Sequence, residues 1–328
     1  MSTRERLRVV QVGCGPRGRT HSAAMCACGA VDLVAICDLL PENLLAAGEE
    51  FGIARRYSDL TTMIEAEQPD LVDIITPPTI RVSIVEEAIA AGAPALLIEK
   101  PIALTQADAQ RLTDLGQERL IAVNTQYPWM PHWQQFWDLL QAQGLGPLRT
   151  LRVGTRANLL EQGVHVVDLA LRAAALGGLP KPEWVLAACE GAEYFGATPV
   201  PADTSATIGL GEARLHLNAG PSAPEVPGES VYWYHMQVEI VGDHGRLWVS
   251  LNQGWQLWRD GTATRGETAW PKNDGEAQEA LYVALRDALL DDGEQWREFP
   301  TRIAVAARTA ALLFACVTSA AESRRVSL

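Results

Sequence analysis

Leu7-Arg8-Val9-Val10-Gln11-Val12 runs directly into Gly13-Cys14-Gly15-Pro16-Arg17-Gly18, an apolar segment followed by G-x-G-x-x-G. A second apolar run, Val31 to Cys37, ends at Asp38, twenty residues past Gly18. Each glycine has its own mechanical reason. The first permits a tight strand-to-helix turn, the second lets backbone approach a pyrophosphate, and the third lets helix and strand pack closely. The helix that opens after the loop offers its first N–H groups to phosphate oxygens. Asp38 stands where an acid accepts hydrogen bonds from the adenosine ribose hydroxyls. A ligand-free glycine turn accounts for the glycines but leaves Asp38 unexplained, so the pattern predicts a dinucleotide site.

NAD is the expected cofactor, with NADP the alternative. A 2′-phosphate needs a cation close to the acidic position, and Asp38 is followed by Leu39, Leu40 and Pro41. Arg17 and Arg19 flank the third glycine and are the cations within reach of a phosphate; a solvated helix start accounts for them equally.

Working outward, residues 7–12, 31–37, 71–76, 95–99 and 120–124 are short apolar runs without alternation, as strands buried on both faces of a parallel sheet read. Helical patterns lie between them at about 19–29, 41–51, 59–66 and 83–91. The fold class is therefore α/β, with an N-terminal doubly wound parallel sheet. Its ligands belong at the carboxyl ends of the strands, where the glycine loop, Asp38, Thr76-Pro77-Pro78 and Glu99-Lys100-Pro101 all fall. After residue 124 the pattern changes. A helix is expected at 131–143, with Trp133, Phe136, Trp137 and Leu140 on its core face, then a strand at 148–153 and a long helix at 159–176. Strands with polar alternation follow at 206–210, 213–218, 236–241, 246–250 and 255–258, with hairpin turns at Gly211-Glu212 and Gly242 to Gly245. Helices return at 276–291 and 301–322. The expected division is a dinucleotide-binding domain over 1–124 and a second α/β domain over 125–328, built on an open, mostly antiparallel sheet with one helix-covered face.

Composition narrows the function. The 328 residues are 48% apolar and carry a net charge of −13. A large core is available, and nucleic acid and anionic membrane are disfavoured as partners because both need a basic face. Met-Ser-Thr-Arg-Glu-Arg runs directly into a strand, so no signal peptide is expected, and no apolar stretch is expected to reach a membrane span. The six cysteines form no C-x-x-C pair. They read as small buried residues of a cytoplasmic protein.

Two constellations carry the chemistry. Lys100, at a strand end beside the Thr76-Pro77-Pro78 turn, is expected next to the nicotinamide, where its ammonium holds a substrate hydroxyl and stabilises a developing alkoxide. Pro101 pre-sets that turn and is a candidate cis residue. An exposed strand-end ion pair is the alternative reading. Glu161, His165 and Asp168, at i, i+4 and i+7, are expected on one face of an otherwise apolar helix. Histidine is the natural general base near neutral pH, and a neighbouring carboxylate orients it. A core histidine with a structural Asp partner is the alternative. Glu, His and Asp also ligate metals, but the spacing is not H-E-x-x-H and no metal is assigned. Tyr127, Trp129 and His132 lie just beyond a strand end and are suited to stacking on a sugar ring, and Trp233, Tyr234 and His235 to lining a pocket or an interface.

Together the glycine loop, Asp38, Thr76-Pro77-Pro78, Glu99-Lys100-Pro101 and Gly163-Val164-His165-Val166-Val167-Asp168 resemble the Gfo/Idh/MocA oxidoreductases, the glucose–fructose oxidoreductase and inositol dehydrogenase group, along essentially the whole chain. The resemblance implies a Rossmann domain, a C-terminal α/β domain with an open antiparallel sheet, and NAD(P)-dependent oxidation or reduction of a secondary hydroxyl or ketone on a sugar, cyclitol or related polyol. It also implies homodimers or homotetramers formed through the C-terminal sheet. Lys100 matches the family lysine that contacts the nicotinamide ribose and the substrate, and His165 the catalytic histidine. Three positions depart from the family: Glu161 where many members carry Asp, Arg81 where a His often follows the Thr-Pro-Pro turn, and Pro128 where Asn-x-x-x-Arg would place an arginine. The candidates are then Lys100, His165 and Glu161 for catalysis. For the cofactor they are Gly13, Gly15, Pro16, Arg17, Gly18, Asp38, Thr76, Pro77, Pro78, Glu99, Lys100 and Asn124. Tyr127, Trp129 and Asp168 are the substrate candidates.

The expected mechanism places a secondary hydroxyl between Lys100 and His165. His165, alone or with Glu161, removes the proton, hydride passes to nicotinamide C4, and Lys100 stabilises the charge on oxygen. Two alternatives keep the cofactor: glycoside cleavage through transient oxidation, and a non-catalytic NAD-binding sensor.

Overall fold

The computed structural model describes residues 5–142, 144–267, 272–290 and 295–328. The ends of the helices expected at 131–143 and 276–291, and the first four residues of the chain, lie outside them. The chain divides into two units: 1–129 with 274–307, and 130–273 with 308–328. Neither is continuous in sequence, whereas the sequence reading placed a single boundary after residue 124.

The first unit contains β1 (Leu7–Val12), α1 (Pro16–Ala27), β2 (Val31–Cys37), α2 (Pro41–Glu50), β3 (Arg56–Tyr57), α3 (Leu60–Glu67), β4 (Leu71–Ile74), α4 (Arg81–Ala90), β5 (Leu96–Ile98), α5 (Gln106–Leu115) and β6 (Ile121–Val123). The strands form one parallel sheet in the order β3-β2-β1-β4-β5-β6. The order reverses between β1 and β4, the switch point at which open α/β sheets bind ligands. Strands β1, β4, β5 and β6 are buried almost throughout, which is why they read as unbroken apolar runs. β3 is two residues long, too short for a period to show, and α5 is polar on average with only Ala109 and Leu112 buried.

The second unit contains α6 (Pro131–Ala142), β7 (Leu148–Thr155), α7 (Gly163–Leu176), β8 (Trp184–Glu190), a small hairpin of β9 (Glu193–Phe195) and β10 (Thr198–Val200), then β11 (Asp203–Leu210), β12 (Ala213–Ala219), β13 (Met236–Gly242), β14 (Gly245–Ser250), β15 (Gly254–Arg259) and β16 (Thr262–Gly266). Of the remaining elements, α8 (Lys272–Leu290) belongs almost wholly to the first unit, α9 (Ile303–Glu322) begins in the first and ends in the second, and the short β17 (Val326–Ser327) belongs to the second. Nine strands form one sheet, β16-β15-β14-β13-β7-β12-β11-β8-β17. Every pair is antiparallel except β7 with β12. Residues alternate between a buried and a partly exposed face in β12 and β13, the pattern of a sheet with one covered side. Helices α6 and α7 pack over that side. Trp133, Phe136, Trp137 and Leu140 of α6 are buried as expected from their spacing, and the rings of Trp133 and Trp137 stack at 5.7 Å.

Two expectations are corrected. Helix α7 begins at Gly163, not 159, because the Asn158 side chain accepts hydrogen bonds from the Leu160 and Glu161 N–H groups and closes a turn there. Glu161 therefore precedes the helix that carries His165. Helix α9, at 20 residues, is long and apolar enough to cross a membrane by length and composition, against the expectation of no such stretch. A core helix of a water-soluble fold meets the same criterion. Near its end Ser319 is fully buried and accepts from the Ala187 N–H at 3.0 Å.

Candidate functional site

The loop after β1 shows what each glycine is for. Gly13 has φ +98°, and a Cβ there would lie 2.3 Å from the Ile75 carbonyl oxygen. A Cβ on Gly18 would lie 2.1 Å from the Gly13 carbonyl oxygen. Gly15 has φ −66°, and no atom lies within 4 Å of the position its Cβ would take. Two glycines are thus required by protein packed against them, and the middle one faces open space. The loop is braced from inside the sheet: buried Gln11 donates to the Gly13 carbonyl at 2.8 Å and accepts from the Ser22 hydroxyl at 2.8 Å.

Helix α1 starts at this loop with Gly15 as its N-cap and Pro16 in its first turn, and it has neither a side-chain cap nor an acid there. By contrast α3 is capped by Asp59 and α5 by Thr105. The first N–H groups of α1 are left to an external acceptor, and the helix dipole favours an anionic one. Cys14, inside the motif, is a neutral thiol: burial, then the Asp38 charge, push its pKa to about 12.

Asp38 is held at the end of β2. One carboxylate oxygen accepts from the Cys14 N–H at 2.7 Å and from Asn43 Nδ2 at 3.2 Å, and the other accepts from the Leu40 N–H at 2.9 Å. The next residue, Leu39, is 81% exposed. Arg17 turns to the Glu99 carboxylate, with Nε 2.7 Å from Oε1. Arg19 lies 3.8 Å from Glu50.

Glu99 is the centre of a buried charged cluster in which Arg17, Glu99 and Asn124 were singled out from sequence and His21, Asp73 and Tyr282 were not. Its Oε1 accepts from Arg17, from Asn124 Nδ2 at 2.8 Å and from His21 Nε2 at 3.0 Å, and its Oε2 accepts from the Lys100 N–H at 2.9 Å. The other ring nitrogen of His21 lies 2.9 Å from Asp73, whose carboxylate also accepts from the Tyr282 hydroxyl at 2.8 Å. Burial alone would lower the His21 pKa, but the two carboxylates outweigh it and raise it to about 9, so the ring is an imidazolium at neutral pH. Burial would likewise raise that of Glu99, but His21, Arg17 and Asn124 hold it well below the usual carboxylate range. Buried charges of this kind persist only when paired and hydrogen-bonded. The signal in the sequence is Asp73, a carboxylate inside the buried run Leu71-Val72-Asp73-Ile74.

The Lys100–Pro101 peptide bond is cis, the isomer for which Pro101 was a candidate. Arg81, one of the three departures, is 1% exposed and lies under this turn. Its Nη1 donates to the carbonyl oxygens of Glu99 and Pro101, the latter at 2.6 Å, and its Nη2 donates to the Thr76 carbonyl. Burial lowers its pKa to about 10, the Glu99 charge opposing, so it remains a cation at neutral pH. Tyr127 is buried at 4% exposure, with its hydroxyl pKa raised by burial and by the charge of Asp274. Trp129 is half-buried with its ring 5.7 Å from Phe299.

In the second unit, His165 is buried in the first turn of α7 at 4% exposure. Asp168 accepts from the Thr309 hydroxyl at 3.3 Å, and burial raises its pKa, Arg172 and Thr309 opposing. Asn158, which turns the chain into Glu161, also donates to Glu193 at 2.5 Å. Burial and the charges of Glu193 and Glu161 raise the Tyr232 hydroxyl pKa, with Arg156 opposing. Asn158, Glu193 and Tyr232 were not found by sequence reasoning, because they come from separate loops and strands with no shared spacing. Among the described residues, no group of three or more His, Cys, Asp or Glu side chains is arranged to hold a metal ion.

Residues 7–126 match a family model, GFO_IDH_MocA, described as an oxidoreductase family with an NAD-binding Rossmann fold. The chain is similar to the D-apiose dehydrogenase of Paraburkholderia graminis, 32% identical over 188 residues that cover 52% of this chain and 50% of that protein. It is also similar to the rhizopine catabolism protein MocA of Rhizobium meliloti, at 28% identity over 50% of this chain and 56% of that protein. It thus spans about half the length of the curated relatives it matches. An oxidoreductase from Agrobacterium radiobacter, solved with NAD+, L-tartaric acid and magnesium, shares the fold over 98% of both chains, with a TM-score of 0.83 at 20% identity.

Proposed function

We propose, for a chain whose residues 7–126 carry the NAD-binding Rossmann fold of the Gfo/Idh/MocA oxidoreductase family, that it transfers a hydride between NAD and a secondary hydroxyl or ketone of a sugar, cyclitol or related polyol. The observation that carries this reading is the division of labour in the glycine loop. Gly13 and Gly18 are pressed against backbone while Gly15 opens on empty space before an uncapped helix N-terminus. That is the shape a pyrophosphate needs. The neighbouring Glu99-Lys100-Pro101 turn, anchored by the Glu99 carboxylate, supplies a lysine to the same unit. The D-apiose dehydrogenase relative supports a sugar as substrate class.

In this reading the α1 N-terminus and the Gly15 backbone hold the pyrophosphate, and Asp38 receives the adenosine ribose. The absence of a cation after Asp38 favours NAD over NADP. NAD supplies the hydride acceptor, and the protein supplies binding, orientation and electrostatics. Lys100 stabilises charge on the reacting oxygen, and His165, with Glu161, takes or returns its proton. Asn124, which bonds Glu99, helps to fix the lysine turn. Tyr127, Trp129 and Asp168 are assigned to shaping the substrate surroundings.

Two further assignments rest on the second unit and on the thiols. The face of the nine-stranded sheet that carries Arg152, His216, Asn218, Glu239, Arg246 and Trp248 holds a groove of about 730 Å³. We assign this face to homodimer or homotetramer contacts. All six cysteines are thiols, which suits a cytoplasmic protein. The net charge of −13 argues against nucleic acid and anionic membrane as partners.

The experiment is a reduction assay with NAD+ or NADP+ and a panel of sugars, cyclitols and sugar acids, following reduced-nicotinamide absorbance. Turnover that is lost in both Lys100→Ala and His165→Ala, with each variant folded as wild type, is the expected result. Undiminished turnover in either variant would remove that residue from the mechanism.

A further inference from the structure

The turn that carries Lys100 presents the backbone with a difficulty. Thr76-Pro77-Pro78 and Lys100-Pro101 follow adjacent parallel strands, β4 and β5. Three of these five residues are prolines, which have no N–H to donate. The carbonyl groups in such turns cannot all be met by the turns' own backbone, and a buried carbonyl without a donor is costly. Arg81 meets three of them at once: Thr76 from one turn, Glu99 and Pro101 from the other. The two carbonyls on the second turn belong to the residues on either side of Lys100, while the Lys100 N–H is held by the Glu99 carboxylate. Its backbone is therefore pinned before, at and after the residue, so the place from which its side chain starts is fixed.

We propose that Arg81 is the positioning residue for Lys100, its guanidinium locking the lysine-bearing turn to the Thr76 turn through these three carbonyl oxygens. Only a guanidinium does this. Its planar fork carries five N–H donors with fixed directions, whereas an ammonium is a point donor and an imidazole has at most two N–H groups set on opposite sides of a ring. The consequence for activity rests on the role proposed for Lys100, but the positioning itself does not.

The test uses an unusual property of the sequence: it contains only three lysines, Lys100, Lys181 and Lys272. Reductive methylation of the full-length protein with ¹³C-formaldehyde gives one dimethylamine signal from each, apart from that of the N-terminus, and Lys100→Arg identifies the signal of Lys100. Spectra are compared for wild type, Arg81→Met and Arg81→Gln, with and without NAD+. The expected result is that the Lys100 signal moves toward that of exposed Lys181 and loses its response to NAD+ in both variants, while the signals of Lys181 and Lys272 stay in place. With a substrate in hand, kcat falls about 10- to 100-fold, as misplacing a reacting group by about an ångström does, while the KM for NAD+ changes less than about threefold. A folded Arg81 variant whose Lys100 signal and NAD+ response coincide with wild type overturns the proposal. So does the unfolding of both variants, which would make Arg81 a support of the fold at large. Because the spectrum needs no turnover, a wild-type protein inactive on every substrate counts against the redox reading and leaves this inference standing or falling separately.

Discussion

The same substitution at two glycines of one loop is expected to fail in opposite ways. In Gly18→Ala the new methyl meets the Gly13 carbonyl oxygen at 2.1 Å. That atom is backbone and is tied to Gln11 at 2.8 Å, so it cannot swing aside as a flexible side chain would. Overpacking of this kind costs about 1–3 kcal/mol, while alanine in a helix gains up to about 1 kcal/mol over glycine. A contact this short with backbone belongs at the upper end of the first range, so the net expectation is a loss of about 2 kcal/mol of stability. In Gly15→Ala the methyl meets nothing within 4 Å, and φ is −66°, which alanine adopts without strain. Stability should stay within about 0.5 kcal/mol of wild type. The methyl instead occupies the space assigned to the pyrophosphate, and NAD+ affinity should fall at least about tenfold, the equivalent of 1.4 kcal/mol. Urea unfolding of the apo protein gives the first quantity, and calorimetric titration with NAD+ the second. Gly15→Ala that binds NAD+ as wild type would show that the open side of the loop is not where the phosphates lie. Gly18→Ala as stable as wild type would show that the helix relaxes away from the strand, and the packing argument would fail.

Two more predictions concern the buried cluster. His21 titrates at about 9 in the folded protein, against about 6.5 when unfolded. A raised pKa stabilises the fold fully below the unfolded value, and the contribution is lost as pH rises through about 9. Urea unfolding of wild type and His21→Gln should therefore show a stability difference that shrinks between pH 6 and pH 10; a constant difference would mean that the ring is neutral throughout. Glu99, with its pKa depressed, works in the other direction: its contribution is present above the unfolded carboxylate range and lost as pH falls through its folded value. Glu99→Gln at neutral pH leaves Arg17 and His21 without their shared carboxylate. It should cost about 3–5 kcal/mol, the usual penalty for breaking a buried ion pair from one side, seen as a lowered urea midpoint. A loss below about 1 kcal/mol would show that water or rearranged neighbours replace the carboxylate.

What the amino-acid sequence determined by itself was whatever depends on neighbours along the chain. Strands β1, β4, β5 and β6 are legible because a strand buried on both faces is apolar at nearly every position. The positive φ of Gly13 and the close approach of Gly18 to the Gly13 carbonyl are legible because those demands are local, whereas the Ile75 carbonyl that also crowds Gly13 comes from a distant strand end. The alternation in β12 and β13 announces a sheet with one covered face, and the spacing of Trp133, Phe136, Trp137 and Leu140 announces the core side of α6. The tertiary structure decided what depends on residues far apart. His21 meets Asp73 and Glu99 across separations of 52 and 78 residues, and Tyr282 reaches Asp73 across 209. No periodicity links such positions, and a histidine in a helix gives no sign that two carboxylates will charge it. Asn158 moved the start of α7 past Glu161 with its side chain, which helix spacing does not register. Arg81, visible in sequence only as an arginine where a histidine was expected, acquired its task when two proline-bearing turns came to lie side by side, leaving buried carbonyl oxygens for its guanidinium to satisfy.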